Sequence, residues 1–354
     1  MPVKVVDDVI VHQEPGRFCG NPNLTRLDTG ELLVGFRWSE GRLMADWDPS
    51  LRPVQKKGAD VESLCRAEPR VIYDVAGSLT PYSVQLSDAS LLCFLNRSDV
   101  VTREEAERTD QALLRRDQVY DVIAIRRPIQ VLRSTDHAEC WQEWSRVELT
   151  GYPMQSAFRG NVVEWDDGEL LFSVYAASEK LEEGATCLLV HSPDRGATWE
   201  QLAVIARDES GAIGFNETFL YRTPSDRLIA FMRTSGADGH LFAATSDDRG
   251  RTWSAYEDTG VYGFPHDALR LPDGRVLLSY GCRREPYGVR ARVLEPECGD
   301  IADAREEFIN LRAYNGATGY PAAVNLDDGT VFIVYYIRIA DEHPWIMGSV
   351  LEVA

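Results

Sequence analysis

The sequence predicts an all-β fold, a six-bladed β-propeller. Two repeated patterns and the near absence of long helical periodicity support this prediction. The first pattern, S-x-D-x-G-x-T-W, occurs at Ser192–Trp199 and Ser246–Trp253, and a degenerate copy at Ser134–Trp141 has Ala138 in place of the glycine. A pattern that recurs about every 50 residues indicates repeated structural units. Its aspartate can accept backbone N–H bonds, its glycine can adopt a positive φ, and its tryptophan can cover the turn, so each copy predicts a hairpin turn.

The second pattern is a turn between two β-rich runs. Asp-Gly between alternating apolar runs is the strongest short hairpin signal. The six turn positions, of which the second is degenerate, are Gly30, Ala89, Gly168, Asp226, Gly274 and Gly329. Six hairpins in 354 residues give about 59 residues per unit, enough for a four-stranded blade. Because a closed ring leaves few exposed sheet edges, we expect one propeller domain over residues 1–354.

A charged segment near residues 100–118 interrupts the repeats. Thr102–Glu105 has the form of a capping box, which predicts a short surface helix inserted in blade two. This insertion is expected to be either solvated or a lid over the site.

The amino-acid composition limits the classes of molecule that the protein is expected to bind. The hydrophobic fraction of 44% and the charged fraction of 26% are ordinary for a globular protein. The net charge of −19 argues against nucleic acid and anionic membranes as partners, because both need a basic surface. An acidic substrate remains compatible, since a local arginine cluster can override the overall charge. The sequence makes no prediction of oligomeric state.

Cysteine usage and the N-terminal residues bear on cofactors and compartment. The seven cysteines show no CxxC pair or other zinc-ligand spacing, so neither a metal nor another cofactor is predicted. The first residues lack the apolar core of a signal peptide, and no apolar run of about 18 residues occurs. These features predict the cytoplasm, or a secreted or periplasmic location if a signal peptide has been removed.

The hairpins also predict which residues line one rim of the propeller. A hairpin brings its two ends to the same side, so residues nine or eight before each turn should share a rim with those seven after it. The residues nine positions before the six turns are Asn21, Thr80, Arg159, Glu217, Pro265 and Tyr320. His266 lies eight positions before the turn at Gly274. The residues seven positions after the six turns are Arg37, Asn96, Tyr175, Arg233, Gly281 and Tyr336. This rim carries charged and aromatic groups while the opposite rim carries Asp-Gly turns, which is typical of a site-bearing face.

These motifs resemble a known family. S-x-D-x-G-x-T-W is similar to the Asp box of the sialidase (neuraminidase) superfamily, whose members are six-bladed propellers. Phe215–Glu217 followed by Arg233 resembles the sialidase blade-four segment, in which a glutamate polarises the nucleophile and an arginine binds the substrate carboxylate. Gly319-Tyr320 resembles the segment with the nucleophilic tyrosine. The resemblance implies that Tyr320 attacks the sugar with Glu217 as its base. A neutral nucleophile of this kind avoids repulsion from an anionic sugar.

The chain departs from the family pattern at the first of three carboxylate-binding arginines. Family members carry F-R-I-P near the start, and here Gly20 occupies the place of its arginine within Cys19–Pro22. Arg17, Arg37 and Arg159 are candidates to replace it. The arginine expected after blade five is one of Arg283, Arg284, Arg290 and Arg292, and the spacing does not select among them.

For the acid/base aspartate that the resemblance implies, Asp46 and Asp48 are the candidates. His266, which precedes Asp267, is a second candidate acid or base oriented by a carboxylate. The predicted substrate-binding set consists of Arg17, Asn21, Arg37, Arg159, Arg233, Arg284, Arg290 and Tyr336.

The leading prediction is a divergent, bacterial-type, sialidase-like glycoside hydrolase whose substrate is an acidic or polyhydroxylated carbohydrate. One alternative is a polysaccharide lyase or atypical glycosidase that uses His266 and a tyrosine. Abstraction of a proton beside a uronate carboxylate needs a base, a proton donor and an arginine, and this rim offers all three. The other alternative is a non-catalytic propeller that binds carbohydrate or protein.

Overall fold

The hairpin repeats fold into six antiparallel sheets, and each sheet forms one blade of a β-propeller, as predicted. The computed structural model describes residues 3–40, 50–77, 80–106, 108, 113–117, 122–156, 161–177, 184–340 and 343–354. The second strand of the hairpin in each blade is buried along nearly its whole length, because each blade packs against two neighbours.

The strands follow the chain blade by blade. The first strand, β1 (Val3–His12), belongs to the last blade. Blade one contains β2 (Phe18–Arg26), β3 (Leu32–Ser39), β4 (Arg52–Gly58), α1 (Val61–Arg66) and β5 (Arg70–Val71). Blade two begins with β6 (Tyr82–Gln85) and β7 (Leu91–Leu95). An insertion follows with β8 (Ser98–Thr102), α2 (Arg103–Ala106), β9 (Leu113–Asp117) and β10 (Val122–Arg126). The blade ends with β11 (Ile129–Ser134) and β12 (Gln142–Val147).

The remaining blades have no such insertion among the described residues. Blade three contains β13 (Met154–Ser156), β14 (Val163–Glu164), β15 (Leu170–Ala177), β16 (Thr186–Ser192) and β17 (Glu200–Ala206). Blade four contains β18 (Gly214–Arg222), β19 (Leu228–Ser235), β20 (His240–Ser246) and β21 (Glu257–Tyr262). Blade five contains β22 (His266–Arg270), β23 (Val276–Cys282), β24 (Gly288–Leu294) and β25 (Glu306–Asn310). Blade six contains β26 (Thr318–Asn325), β27 (Val331–Ile337) and β28 (Trp345–Val353).

The ring is closed by β1, which pairs with β28 as the outer strand of blade six. The register runs from Val3 opposite Val353 to His12 opposite Ile346. A buried hydrogen-bond chain reinforces this closure. Ser349 Oγ lies 2.8 Å from the Tyr335 hydroxyl and donates to an Asp8 carboxylate oxygen at 2.6 Å. Three neighbouring strands of one blade are thereby joined through side chains as well as backbone.

The insertion in blade two is mostly sheet in its described part. Strand β10 lies between β8 and β9, and its sequence Val-Ile-Ala-Ile-Arg is rich in β-branched residues. The capping box does form, because Thr102 N donates to Glu105 Oε2 at 2.9 Å and Glu105 N donates to Thr102 Oγ1 at 3.3 Å. It starts only the four-residue helix α2. In the part of the chain described, no helix is long and apolar enough to cross a membrane.

The S-x-D-x-G-x-T-W segments form the turns that their residues predict. Asp194 accepts hydrogen bonds from Thr198 N at 2.8 Å and Thr198 Oγ1 at 2.7 Å. Ser192 Oγ accepts from Gly196 N at 2.7 Å, and Gly196 has a φ of 86°. Trp199 packs in the core between blades two and three. These motifs therefore stabilise turns and blade contacts.

Candidate active site

The inner strands of blades one, four and six bend at the same place. Their pairing registers shift at Gly20–Asn23, Phe215–Thr218 and Gly319–Ala322, which marks a β-bulge in each blade. Two residues within these bulges, Asn21 and Tyr320, have φ values of 52° and 54°. A bulge redirects the side chains it contains, and positive φ at a residue other than glycine costs about 1–3 kcal/mol and is concentrated at functional sites.

Three predicted residues meet at these bulges. The Tyr320 hydroxyl donates a short hydrogen bond to Glu217 Oε1, although the two residues belong to blades six and four. Arg233 Nη1 donates to Glu217 Oε2 and lies 3.4 Å from the Tyr320 oxygen. Tyr320 and Glu217 are only 4% and 6% exposed, so these two groups are shielded from bulk water, whereas the Arg233 side chain is 24% exposed. The cluster joins a phenol, a carboxylate that can take its proton, and a guanidinium.

The surroundings set the charges of this cluster. Burial and the negative charge of Glu217 raise the pKa of Tyr320 well above its ordinary value, although Arg233 and Arg283 act in the opposite direction. Burial acts to lower the pKa of Arg233, but the charge of Glu217, the hydrogen bond to Glu217 and the neighbouring tyrosine oxygens together outweigh it, and the net shift is upward. At neutral pH the tyrosine is therefore a neutral phenol and the arginine is a cation.

Of the four candidate arginines, Arg283, which follows strand β23 within blade five, is the one whose charge acts on Tyr320. Its Nη2 donates to the Tyr336 hydroxyl at 3.1 Å, and its Nε donates to Thr318 O at 3.3 Å. The Tyr336 ring lies 5.8 Å from that of Tyr320. The sequence left four arginines open here, and the predicted substrate-binding set omitted this one. Strand alternation was an available signal, because Arg283 lies two residues after the rim position Gly281 and thus on the same face.

Two arginines of that set are engaged elsewhere. Arg290 donates to Glu306 at 2.6 Å, within blade five. Arg284 is exposed, stacks on Tyr262 at 3.8 Å and donates to Asp238 O at 2.8 Å. Neither has a described contact with the Tyr320–Glu217–Arg233 cluster.

In blade one, the place of the family arginine is sterically occupied. A Cβ added at Gly20 would lie 2.5 Å from Cε1 of Phe18. Arg37 pairs in register with Gly20, is 2% exposed, and holds its guanidinium carbon 5.1 Å from the same Phe18 ring. Arg17, in contrast, lies nearer the surface and pairs with Glu40.

The other predicted residues are distributed as follows. His266 is 1% exposed, and its ring lies 5.9 Å from that of Tyr280 in blade five. Asp267 accepts a hydrogen bond from Ala323 N at 3.1 Å and so links blades five and six. Asn21 is 3% exposed at the blade-one bulge. Asp46, Asp48 and Arg159 lie outside the described residues. Within the described ranges, no group of three or more histidine, cysteine, aspartate or glutamate side chains is arranged to hold a metal ion.

The fold and the repeats define a sialidase-like propeller. Residues 115–333 match the family model of the BNR repeat-like domain, and the chain belongs to this family. A protein of unknown function from Dyadobacter fermentans is 31% identical, with a TM-score of 0.89 and 100% of both chains covered.

Two similar proteins have sialidase names. The leech intramolecular trans-sialidase, solved with 2,7-anhydro-Neu5Ac, has a TM-score of 0.68 and 13% identity over 98% of this chain and 70% of that one, a likeness that shows the fold alone. A sialidase from Micromonospora viridifaciens is 30% identical over 172 residues, which cover 42% of this chain and 27% of that protein. The match thus spans about a quarter of that relative's length.

Proposed function

We propose that this protein is a glycoside hydrolase of sialidase type that cleaves an acidic sugar with Tyr320 as nucleophile. The observation that carries the proposal is the hydrogen bond from the neutral Tyr320 phenol to the Glu217 carboxylate beside Arg233. A phenol is a poor nucleophile until a base takes its proton, and a carboxylate in direct contact meets this requirement. Glu217 would be that base.

The proposed reaction has two displacements. In the first, Tyr320 Oη attacks the anomeric carbon, its proton passes to Glu217, and the bond to the leaving oxygen breaks. Asp46 stays the predicted donor of the proton that the leaving oxygen takes up. In the second, water attacks the same carbon and gives a proton to the deprotonated Asp46, while the bond to Tyr320 Oη breaks and Glu217 returns its proton to Tyr320. Two inversions give net retention of configuration.

The charge of the site favours an anionic substrate. Arg233 and Arg283 supply two positive charges near Tyr320, and Glu217 supplies one negative charge. Among the described residues, Arg283 has phenol, carbonyl and aromatic partners but no acidic one. An uncompensated guanidinium in a chain of net charge −19 suits a carboxylate ligand. Arg37 is the proposed substitute for the arginine absent at position 20.

The test is a screen of aryl glycosides of sialic acid, uronic acids and deoxysugars with the wild type, Tyr320→Phe and Tyr314→Phe. Tyr314 is 59% exposed, so it serves as a control for loss of one tyrosine hydroxyl. We expect wild type and Tyr314→Phe to cleave an acidic aryl glycoside, and Tyr320→Phe to lose roughly 10³-fold or more in kcat.

Other outcomes would contradict the proposal. Equal kcat in the wild type and Tyr320→Phe would show that Tyr320 is not the nucleophile. Release of an unsaturated uronate product, detected by its ultraviolet absorbance, would favour the lyase alternative. Binding of a sugar without any turnover would favour a carbohydrate-binding propeller.

A further inference from the structure

One phenyl ring contacts both arginines that face Tyr320. The guanidinium carbon of Arg233 lies 4.7 Å from the centroid of the Phe264 ring, and that of Arg283 lies 5.0 Å from it. Arg233 belongs to blade four and Arg283 follows the strand β23 of blade five, while Phe264 lies in the segment that joins these two blades. Both guanidinium groups are within the distance of about 6 Å at which an aromatic ring attracts a cation.

The Phe264 ring is held by its own surroundings. Phe264 N donates to Gly281 O at 2.9 Å, which fixes the backbone against β23. The ring meets that of Tyr262 edge to face at 5.9 Å. Gly239 packs so closely that an added Cβ would lie 2.8 Å from Cε1 of Phe264. The ring is therefore held in a fixed position, and the two flexible arginine side chains can pack against it.

The charges of Arg233 and Arg283 explain what the Phe264 ring contributes. Glu217 neutralises Arg233, whereas Arg283 has no acidic partner in the described chain. An excess positive charge in a partly buried site is costly, and two neighbouring guanidinium groups repel each other. The negative face of an aromatic ring attracts cations without neutralising them. The ring thus keeps both arginines near Tyr320 and leaves their charge available to a ligand.

We infer that Phe264 is a positioning residue that holds Arg233 and Arg283 in place to receive the carboxylate of an acidic sugar. This inference rests on the proposed function and adds a residue that orders the groups recognising the substrate carboxylate. A carboxylate takes hydrogen bonds from donors in fixed positions, and donors that are already ordered lose little conformational entropy on binding. Loss of the ring weakens recognition of the anion more than it weakens the chemical step.

The kinetic test uses 4-methylumbelliferyl N-acetylneuraminide as the acidic probe and the 4-methylumbelliferyl glycoside of a neutral sugar as reference. Phe264→Leu removes the ring and keeps an apolar side chain, whereas Phe264→Tyr keeps the ring. Phe308→Leu is the matched control, because Phe308 lies 5.3 Å from Arg290 in blade five, where Glu306 already neutralises that arginine. Phe264→Leu should raise KM for the acidic probe about tenfold and change kcat less than about threefold. Phe264→Tyr should restore KM to within about twofold, and Phe308→Leu should leave it unchanged.

A second readout needs no substrate. In ¹⁵N NMR spectra of arginine side chains, Phe264→Leu should shift or broaden the Nε–Hε signals of both Arg233 and Arg283, and Phe308→Leu should affect that of Arg290 instead. Unchanged Arg233 and Arg283 signals in Phe264→Leu would overturn the inference. An equal rise in KM for the neutral glycoside would also overturn it, because the effect would then be unrelated to anion binding. If the wild type cleaves no aryl glycoside, the proposed function fails while the NMR comparison still decides the role of Phe264.

Discussion

Blades one and six have the same backbone distortion and different side chains. Each inner strand has a bulge at the equivalent position, and a residue other than glycine there has a φ near 53°: Asn21 in blade one and Tyr320 in blade six. In blade six the bulge presents a phenol to Glu217. In blade one the same position presents an amide, and the neighbouring Gly20 leaves room for the Phe18 ring. The comparison shows that the repeated backbone sets where a side chain lies, while single residues determine what chemistry it offers.

The largest expected effect concerns the chemistry of the blade-six bulge. Glu217→Gln keeps the size of the side chain but cannot take the proton of Tyr320. We expect kcat for an acidic aryl glycoside to fall about 10²–10⁴-fold. Glu306→Gln, which removes the carboxylate paired with Arg290 in blade five, is the control and should retain kcat within a small factor. Comparable losses in both variants would show that Glu217 acts only as a structural ion-pair partner.

The next effect concerns the steric difference at blade one. Gly20→Arg restores the residue type that the family pattern carries, but its Cβ would meet the Phe18 ring. We expect the free energy of unfolding to fall by about 1–3 kcal/mol, as for other overpacked sites. Because Gly20 and Phe18 are in contact, combining Gly20→Arg with Phe18→Ala should be less destabilising than the sum of the two single changes. Urea denaturation measures this coupling, and strict additivity would contradict the steric explanation.

A smaller effect tests the shared backbone conformation. At Asn21 the positive φ favours glycine over alanine, so Asn21→Ala should be about 1 kcal/mol less stable than Asn21→Gly. Asn23, just beyond the same bulge, is not among the residues with positive φ, and both of its variants lose the bond from Ser83 N. There the order should reverse, with alanine the more stable. The same order at both positions in urea denaturation would count against the φ argument.

The smallest effect is a titration. Because the pKa of Tyr320 is raised well above its ordinary value, this phenol should stay protonated at about pH 10, where an ordinary tyrosine is half ionised. Tyr320→Phe and wild type should therefore gain equal tyrosinate absorbance between about pH 8 and pH 10. A group whose pKa is raised by folding stabilises the folded state below its unfolded pKa of about 10, and this contribution is lost as the pH rises beyond it. A smaller absorbance gain in Tyr320→Phe would indicate that Tyr320 ionises readily.

Local patterns account for what the sequence could predict. The Asp-Gly hairpins and the Asp boxes are short-range signals, so the blades and their number could be recognised. A fixed offset from each turn placed Glu217, Arg233 and Tyr320 on one rim, where they are in contact. The pairing of β1 with β28 joins residues at opposite ends of the chain without a turn between them, and no local motif marks it.

Side chains with long reach were harder to assign. Three arginines that are close in sequence have different partners. Arg283 donates to Tyr336, Arg284 stacks on Tyr262, and Arg290 pairs with Glu306. These choices depend on partners from other strands and blades, which spacing along the chain does not encode. Trp199, in contrast, was expected to be structural from its motif and packs in the core.

The closure of blade six has a consequence for synthesis of the protein. Tyr320 lies on β26, and this blade is complete only when β1, made first, pairs with β28, made last. Glu217 and Arg233 emerge from the ribosome long before that pairing, so we expect the nascent chain to hold an unfinished site until translation reaches the final strand.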